Sequence, residues 1–134
     1  MALQRIVNPN RKASTGAYSD GIVAGGWLYV SGQGPIDVAM GHAVTGTIEE
    51  EVRLTLKNMG DVLTAAGCTY SDVVRCTVHL AKIEDFERFN VVYQEFFKGI
   101  LPTRTTVQSV LGLGIKVEID CIALVPSMED NSAG

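Results

Sequence analysis

Histidine and cysteine are scarce in this chain, which has two of the first and three of the second among 134 residues. His42 sits in a glycine-bounded loop and His79 in an alternating apolar segment, and neither has a second donor at ligand spacing. No metal site is expected on that pattern. Cys68, Cys76 and Cys121 are odd in number and include no CxxC pair, which argues against both a disulfide framework and a zinc site. Cys76 shares a predicted strand face with Val74, Val78 and Leu80, and Cys121 one with Val117, Ile119 and Ala123, so both read as core fillers. Cys68, in the loop "AAGCTYSD", is the one expected to be accessible. Positive charge is also thin: the formal net charge is −4, and the lysines and arginines are scattered rather than striped. Neither nucleic acid nor an anionic membrane surface is an expected partner. No apolar run approaches the length of a membrane span. "MALQRIVNPNRK" lacks the apolar core of a secretory signal, so a cytoplasmic location is expected. There is no GxSxG, and the GxG of "GLGIK" leads into a strand rather than a helix, which removes the nucleophile-elbow and dinucleotide readings.

What is present is a compact-domain composition, 46% hydrophobic and 19% charged, in a chain of single-domain length. One domain over residues 1–134 is expected, with about 127–134 as a flexible tail. "GIVAGGWLYVSG" reads as two strands joined by Gly25-Gly26, a dipeptide suited to a tight hairpin turn. A glycine-rich loop, "SGQGPIDVAMGHAVTG", comes next. Thr47 and Glu50 then form a capping box for a helix whose apolar stripe is Ile48, Val52, Leu56, Met59 and Leu63, with Gly67 as its stop. "DVVRCTVHL" alternates as a strand. A second helix is predicted in "IEDFERFNVVYQEFFKG", with an aromatic stripe of Phe86, Phe89, Tyr93, Phe96 and Phe97 read as core. Strands over 103–110 and 116–125 close the order β-β-α-β-α-β-β, an α+β domain with two helices on one sheet. In the last strand Ile122 and Leu124 face away from Val117, Ile119, Cys121, Ala123 and Val125. Two helices cover one sheet face only, so a second copy of the chain is the expected cover of the other.

The polar residues are ambiguous one by one. Alternation in "LPTRTTVQS" places Arg104, Thr106 and Gln108 on one face, and Arg104 there is either a solvated charge or a fixed cation for an anion. Asn90 borders the aromatic stripe and is either a tethering amide or a site residue. Glu118, among apolar neighbours, is either a surface ion-pair member or a base with a raised pKa. Tyr18 reads by itself as a strand-edge tyrosine, and Ser31, Gly32 and Gln33 as a strand end and turn.

Six segments together resemble the YjgF/RidA family of imine/enamine deaminases, from about Ser14 to Leu124. They are "GAYSDG", "LYVSGQGP", "AAGCTYSDVVRCTVHL", "DFERFNVVYQEFF", "PTRTTV" and "KVEIDCIAL", in the family's order and separations. The resemblance implies a chorismate-mutase-like fold with one mixed sheet, assembled as a homotrimeric barrel with active sites in inter-subunit clefts. It implies a small 2-imino or enamine acid as substrate, hydrolysed to a 2-keto acid and ammonia without metal or cofactor. By the same resemblance the catalytic set is Arg104, Glu118, Tyr18 and Asn90, with Arg104 gripping the carboxylate and Glu118 placing water. Arg104, Thr106, Ser31, Gly32 and Gln33 are the expected substrate contacts. Thr106 stands where many members carry cysteine, and "VLGLGIK" and "PIDVAMGHAVTG" depart from the usual loops. Those departures keep two alternatives in view: a deaminase of 2-aminomuconate type, and a non-enzymatic module that binds small carboxylates. A ribonuclease or translation inhibitor, labels also attached to the family, is disfavoured by the acidic charge.

Overall fold

The computed structural model describes residues 2–12 and 16–127. Most of the expected C-terminal tail, from 128 onward, lies outside the described residues. Among the described residues eight strands and two α-helices run in chain order: β1 (Gln4–Ile6), β2 (Gly21–Ala24), β3 (Trp27–Gln33), β4 (Ile36–Asp37), β5 (His42–Ala43), α1 (Ile48–Ala65), β6 (Val73–Leu80), α2 (Phe86–Phe96), β7 (Thr103–Gln108) and β8 (Val117–Leu124). Six strands form one sheet in the order β1-β2-β3-β8-β6-β7, and β4 and β5 form a separate two-stranded ribbon. All neighbours in the large sheet are antiparallel except β6 and β7, which are parallel. A parallel pair needs a crossover, and α2 supplies it. The sheet is therefore mixed, with both helices against one face, as expected for an α+β domain.

The local signals act as the residue types dictate. Gly25 and Gly26 turn the β2–β3 hairpin at φ 58° and 84°, in the left-handed region open to glycine. The Thr47 side chain accepts from the Glu50 amide at 3.2 Å and Glu50 accepts from the Thr47 amide at 2.9 Å, the reciprocal box that starts α1. Gly67, at φ 80°, comes just after its end. Ile48, Val52, Leu56, Met59 and Leu63 are all buried against Leu28 and Val30 of β3, Cys76, Val78 and Leu80 of β6, and the inward residues of β8.

Several details differ from the sequence reading, and one buried acid goes unannounced by it. The N-terminal strand β1 and the β4–β5 ribbon are additional elements, too short for periodicity to reveal. A register shift between Val73 and Arg75 turns Val73 into the core and leaves Val74 39% exposed, so Val74 does not share the face of Cys76. Cys68 is buried like the other two thiols rather than accessible. Glu51, the last of three consecutive acids in the first turn of α1, is 1% exposed. Its carboxylate accepts from the Gly46 and Lys116 amides at 3.1 and 2.7 Å and pairs with Lys116 Nζ at 2.9 Å. That bracket ties the start of α1 to the start of β8.

On the other sheet face Trp27, Tyr29 and Leu124 are 38%, 48% and 47% exposed, alongside a half-buried Ile122. Neither helix covers them. Among the described residues no helix is long and apolar enough to cross a membrane.

Candidate active site

Arg104 lies on β7, the edge strand parallel to β6, in register with Cys76. Cys76 is fully buried on the helix-covered face, so Arg104 shares that face and meets α2. Its guanidinium carbon sits over the rings of Tyr93, Phe89 and Phe86, at 4.8, 5.4 and 5.5 Å from their centroids. No carboxylate among the described residues pairs with it. Beside it opens a cleft of about 400 Å³ lined by Asn90, Tyr93, Gln94, Leu101, Pro102 and Arg104. Asn90 Oδ1, Tyr93 Oη and Thr106 Oγ1 are buried there or nearby without a hydrogen-bond partner. Burial pushes the Tyr93 phenol well above its ordinary range, and the adjacent Cys76 thiol adds to the shift. Burial likewise pushes Cys76 up to about 11. Both stay neutral around pH 7, which leaves Arg104 as the charge of this cleft.

Glu118 lies on β8 three residues before Cys121, hence on the opposite, uncovered face. It faces His79 across the β6–β8 ladder and leans toward β3. Gly32 makes that approach possible: a Cβ there would fall 2.7 Å from Glu118 Oε2. A second cleft, of about 330 Å³, brings Glu118 and Gly32 together with Tyr18, Leu113 and Ile115. Tyr18 is carried by the segment before β2, and two bonds hold that segment to β3. Ser31 Oγ donates to the Ser19 carbonyl at 2.5 Å and the Ser31 amide donates to the Asp20 carbonyl at 2.9 Å. Asp20 is itself fixed by the Arg11 guanidinium at 2.8 Å and the Asn8 amide at 2.8 Å.

The expected site residues therefore fall into two groups. Arg104 and Asn90 share one cleft, Tyr18, Gly32 and Glu118 share another, and the two lie on opposite faces of one chain. Ser31 positions the Tyr18 segment. Gln33 enters neither cleft: the irregularity between Val30 and Gln33 turns it inward, where it is 4% exposed and donates to the Ser31 carbonyl at 3.0 Å. Thr106 lies two residues beyond Arg104 on the same strand face. Sequence reasoning missed Tyr93 and Phe86 as neighbours of Arg104, because an aromatic helical stripe reads as core. It also missed Leu113, whose φ of 62° marks an unusual loop conformation that no residue pattern announces. Among the described residues no cluster of His, Cys, Asp or Glu is arranged to hold a metal ion.

A mixed sheet with two helices on one face, and a cleft on each side, defines a small α+β domain. The chain belongs to the family described as Endoribonuclease L-PSP, which matches residues 8–125. The YjgF/RidA resemblance read from the sequence is thus borne out. A relative from Rattus norvegicus, "2-iminobutanoate/2-iminopropanoate deaminase", is 39% identical over 124 residues, covering 91% of this chain and 90% of the relative. The solved structure of YyfA from Yersinia pestis, described as a protein of unknown function of the conserved Rid family, superimposes with a TM-score of 0.87. It is 39% identical, covering 92% of this chain and 100% of that one. Escherichia coli TdcF with bound serine superimposes with a TM-score of 0.84 at 30% identity, covering 92% of this chain and 99% of that one.

Proposed function

We propose that this protein hydrolyses small 2-imino and enamine acids of the 2-iminobutanoate and 2-iminopropanoate type to 2-keto acids and ammonia. The observation that carries the reading is Arg104: a partly desolvated guanidinium in a cleft, with no carboxylate among the described residues to neutralise it. A planar carboxylate matches the guanidinium fork and stays charged with it at any working pH. Serine bound to the TdcF relative carries such a carboxylate, and the deaminase named among the relatives acts on 2-imino acids.

Holding the carboxylate at Arg104 sets the C=N carbon at a fixed distance from any group placed beside it. The enamine first tautomerises to the imine. Water then adds to the C=N carbon as Glu118 takes one of its protons and passes it to the nitrogen. In the resulting carbinolamine Glu118 takes the hydroxyl proton as the C=O bond forms and delivers it to the amine, so the C–N bond breaks and ammonia leaves. Because Arg104 and Glu118 lie on opposite faces of one chain, this reading requires the Arg104 cleft of one copy to meet the Glu118 cleft of another. A homotrimer closed through the uncovered sheet face, with Trp27, Tyr29 and Leu124 in the contact, supplies that meeting. The endoribonuclease of the family's description is less well supported, since a net charge of −4 works against a polyanion.

The test is to generate 2-iminobutanoate in situ and follow its loss with and without the protein. Removing one partner of a buried charge pair costs ~2–5 kcal/mol, so Arg104→Ala is expected to lose roughly thirty- to several-thousand-fold in kcat/KM. Wild-type loss of the imine no faster than in buffer rules the reading out. Near-normal ammonia release by Arg104→Ala rules out the role of the arginine.

A further inference from the structure

Among the three rings under Arg104, Phe86 is the one that burial does not account for. Phe89 and Tyr93 are buried at 0% and 3%, while Phe86 opens α2 at 36% exposure. Positions 86, 89 and 93 fall on one side of the helix, spaced by three and four. The result is three rings from α2 beneath one guanidinium from β7, all within 5.5 Å of its central carbon.

A guanidinium can be held in place by a protein carboxylate or by aromatic faces, and the two differ in what they leave free. A carboxylate consumes the N–H fork. Ring faces attract the cation through their quadrupole and leave the N–H donors available. Among the described residues Arg104 has the rings and neither a hydrogen bond nor an ion pair, so its donors remain open to a ligand. We infer that Phe86 is a positioning residue: with Phe89 and Tyr93 it anchors the Arg104 guanidinium through ring faces, so that the donor fork meets a substrate carboxylate without first being rearranged. The inference rests on the reading of Arg104 as the carboxylate anchor, and it assigns Phe86 a part in affinity rather than in the core.

The test uses the full-length protein with Phe86→Leu, Phe86→Trp and Arg104→Ala. Once bound, the carboxylate itself holds the guanidinium alike in the bound and transition states, so loss of the ring's pre-positioning shows in KM and not in kcat. Phe86→Leu is expected to raise KM for 2-iminobutanoate and Kd for 2-oxobutanoate about 2- to 5-fold, the range of one partly exposed cation–π contact. Trp offers the strongest ring face, so Phe86→Trp is expected to keep wild-type affinity. A ligand-independent readout completes the set: the Arg104 side-chain N–H resonances, identified by their absence in Arg104→Ala, should lie upfield under the ring currents and move downfield in Phe86→Leu. Resonances unmoved in Phe86→Leu overturn the inference, as does wild-type affinity of that variant in a protein that binds the keto acid. Ring-shifted resonances that respond to Phe86→Leu in a protein without deaminase activity leave the positioning intact and remove the proposed reaction. An active enzyme indifferent to Phe86→Leu does the reverse.

Discussion

Gly32 and Glu118 show how one missing side chain can shape a site. Glu118 Oε2 occupies the space a Cβ on residue 32 would enter, and the irregularity after Val30 brings the β3 backbone there. Gly32→Ala should push the carboxylate aside while leaving the helix-covered core alone. Misplacing a group by about 1 Å can cost on the order of 100-fold in rate, so kcat should fall by that order with a melting temperature close to wild type. Kinetics and a thermal melt on the same sample check both halves, and an unchanged kcat would detach Glu118 from the chemistry. At this scale the candidate site is legible in the sequence only in part. Motif alone picks out Arg104, Asn90, Tyr18, Gly32 and Glu118, and each does border a cleft. The same motif assigns Gln33 to the substrate, yet a local irregularity turns it inward. Alternation cannot foresee that, because one extra residue inverts the face of every later position in the strand.

Among the elements, α1 illustrates where propensity misleads. Gly60 sits within the helix, where alanine is ordinarily better by ~1 kcal/mol. Here the Tyr70 hydroxyl packs against that glycine while donating to the Leu56 carbonyl at 2.7 Å, and a Cβ would collide with it. Overpacking typically costs ~1–3 kcal/mol, so Gly60→Ala should lower the melting temperature despite its better propensity. A rise instead would mean that Tyr70 moves aside freely. The elements themselves are largely legible: the glycine hairpin, the capping box and the apolar stripe of α1 each derive from residue type and spacing. The N-terminal strand and the β4–β5 ribbon are not, since three- and two-residue strands are fixed by what they pair with. Glu51 is hidden for a related reason. The helical stripe sets position 51 at the core side, but the partner that lets a carboxylate sit there, Lys116, is 65 residues away and no local pattern announces it.

For the molecule as a whole, the buried titratable groups set a limit on alkaline stability. Burial raises Cys68 and Cys76 from 9.0 to about 11 and Tyr70 from 10.0 to about 12. A raised folded pKa means that the unfolded chain loses its proton first. The contribution is therefore complete below pH 9 and falls away as pH rises through 9 to 12. Melting temperatures should be insensitive to these groups below about pH 9 and decline above it, with a shallower decline in Cys76→Ala. A flat profile up to about pH 12 would contradict their burial.

Assembly is the larger question at the same scale, because the sheet divides the candidate residues between two faces. The uncovered apolar face is legible from Ile122 and Leu124 alone. The division of Arg104 from Glu118 is not, since it arises from strand order and register rather than from any one segment. If each site joins Arg104 of one copy to Glu118 of another, two inactive variants should complement. In an equal mixture of Arg104→Ala and Glu118→Gln chains, unfolded and refolded together, half of the contributed arginines and half of the contributed glutamates are intact. Random pairing across a symmetric interface then rebuilds about one site in four. The mixture should recover roughly a quarter of wild-type imine hydrolysis, whereas each variant refolded alone recovers almost none. Were both residues drawn from the same chain, every site would carry one lesion and the mixture would stay inactive.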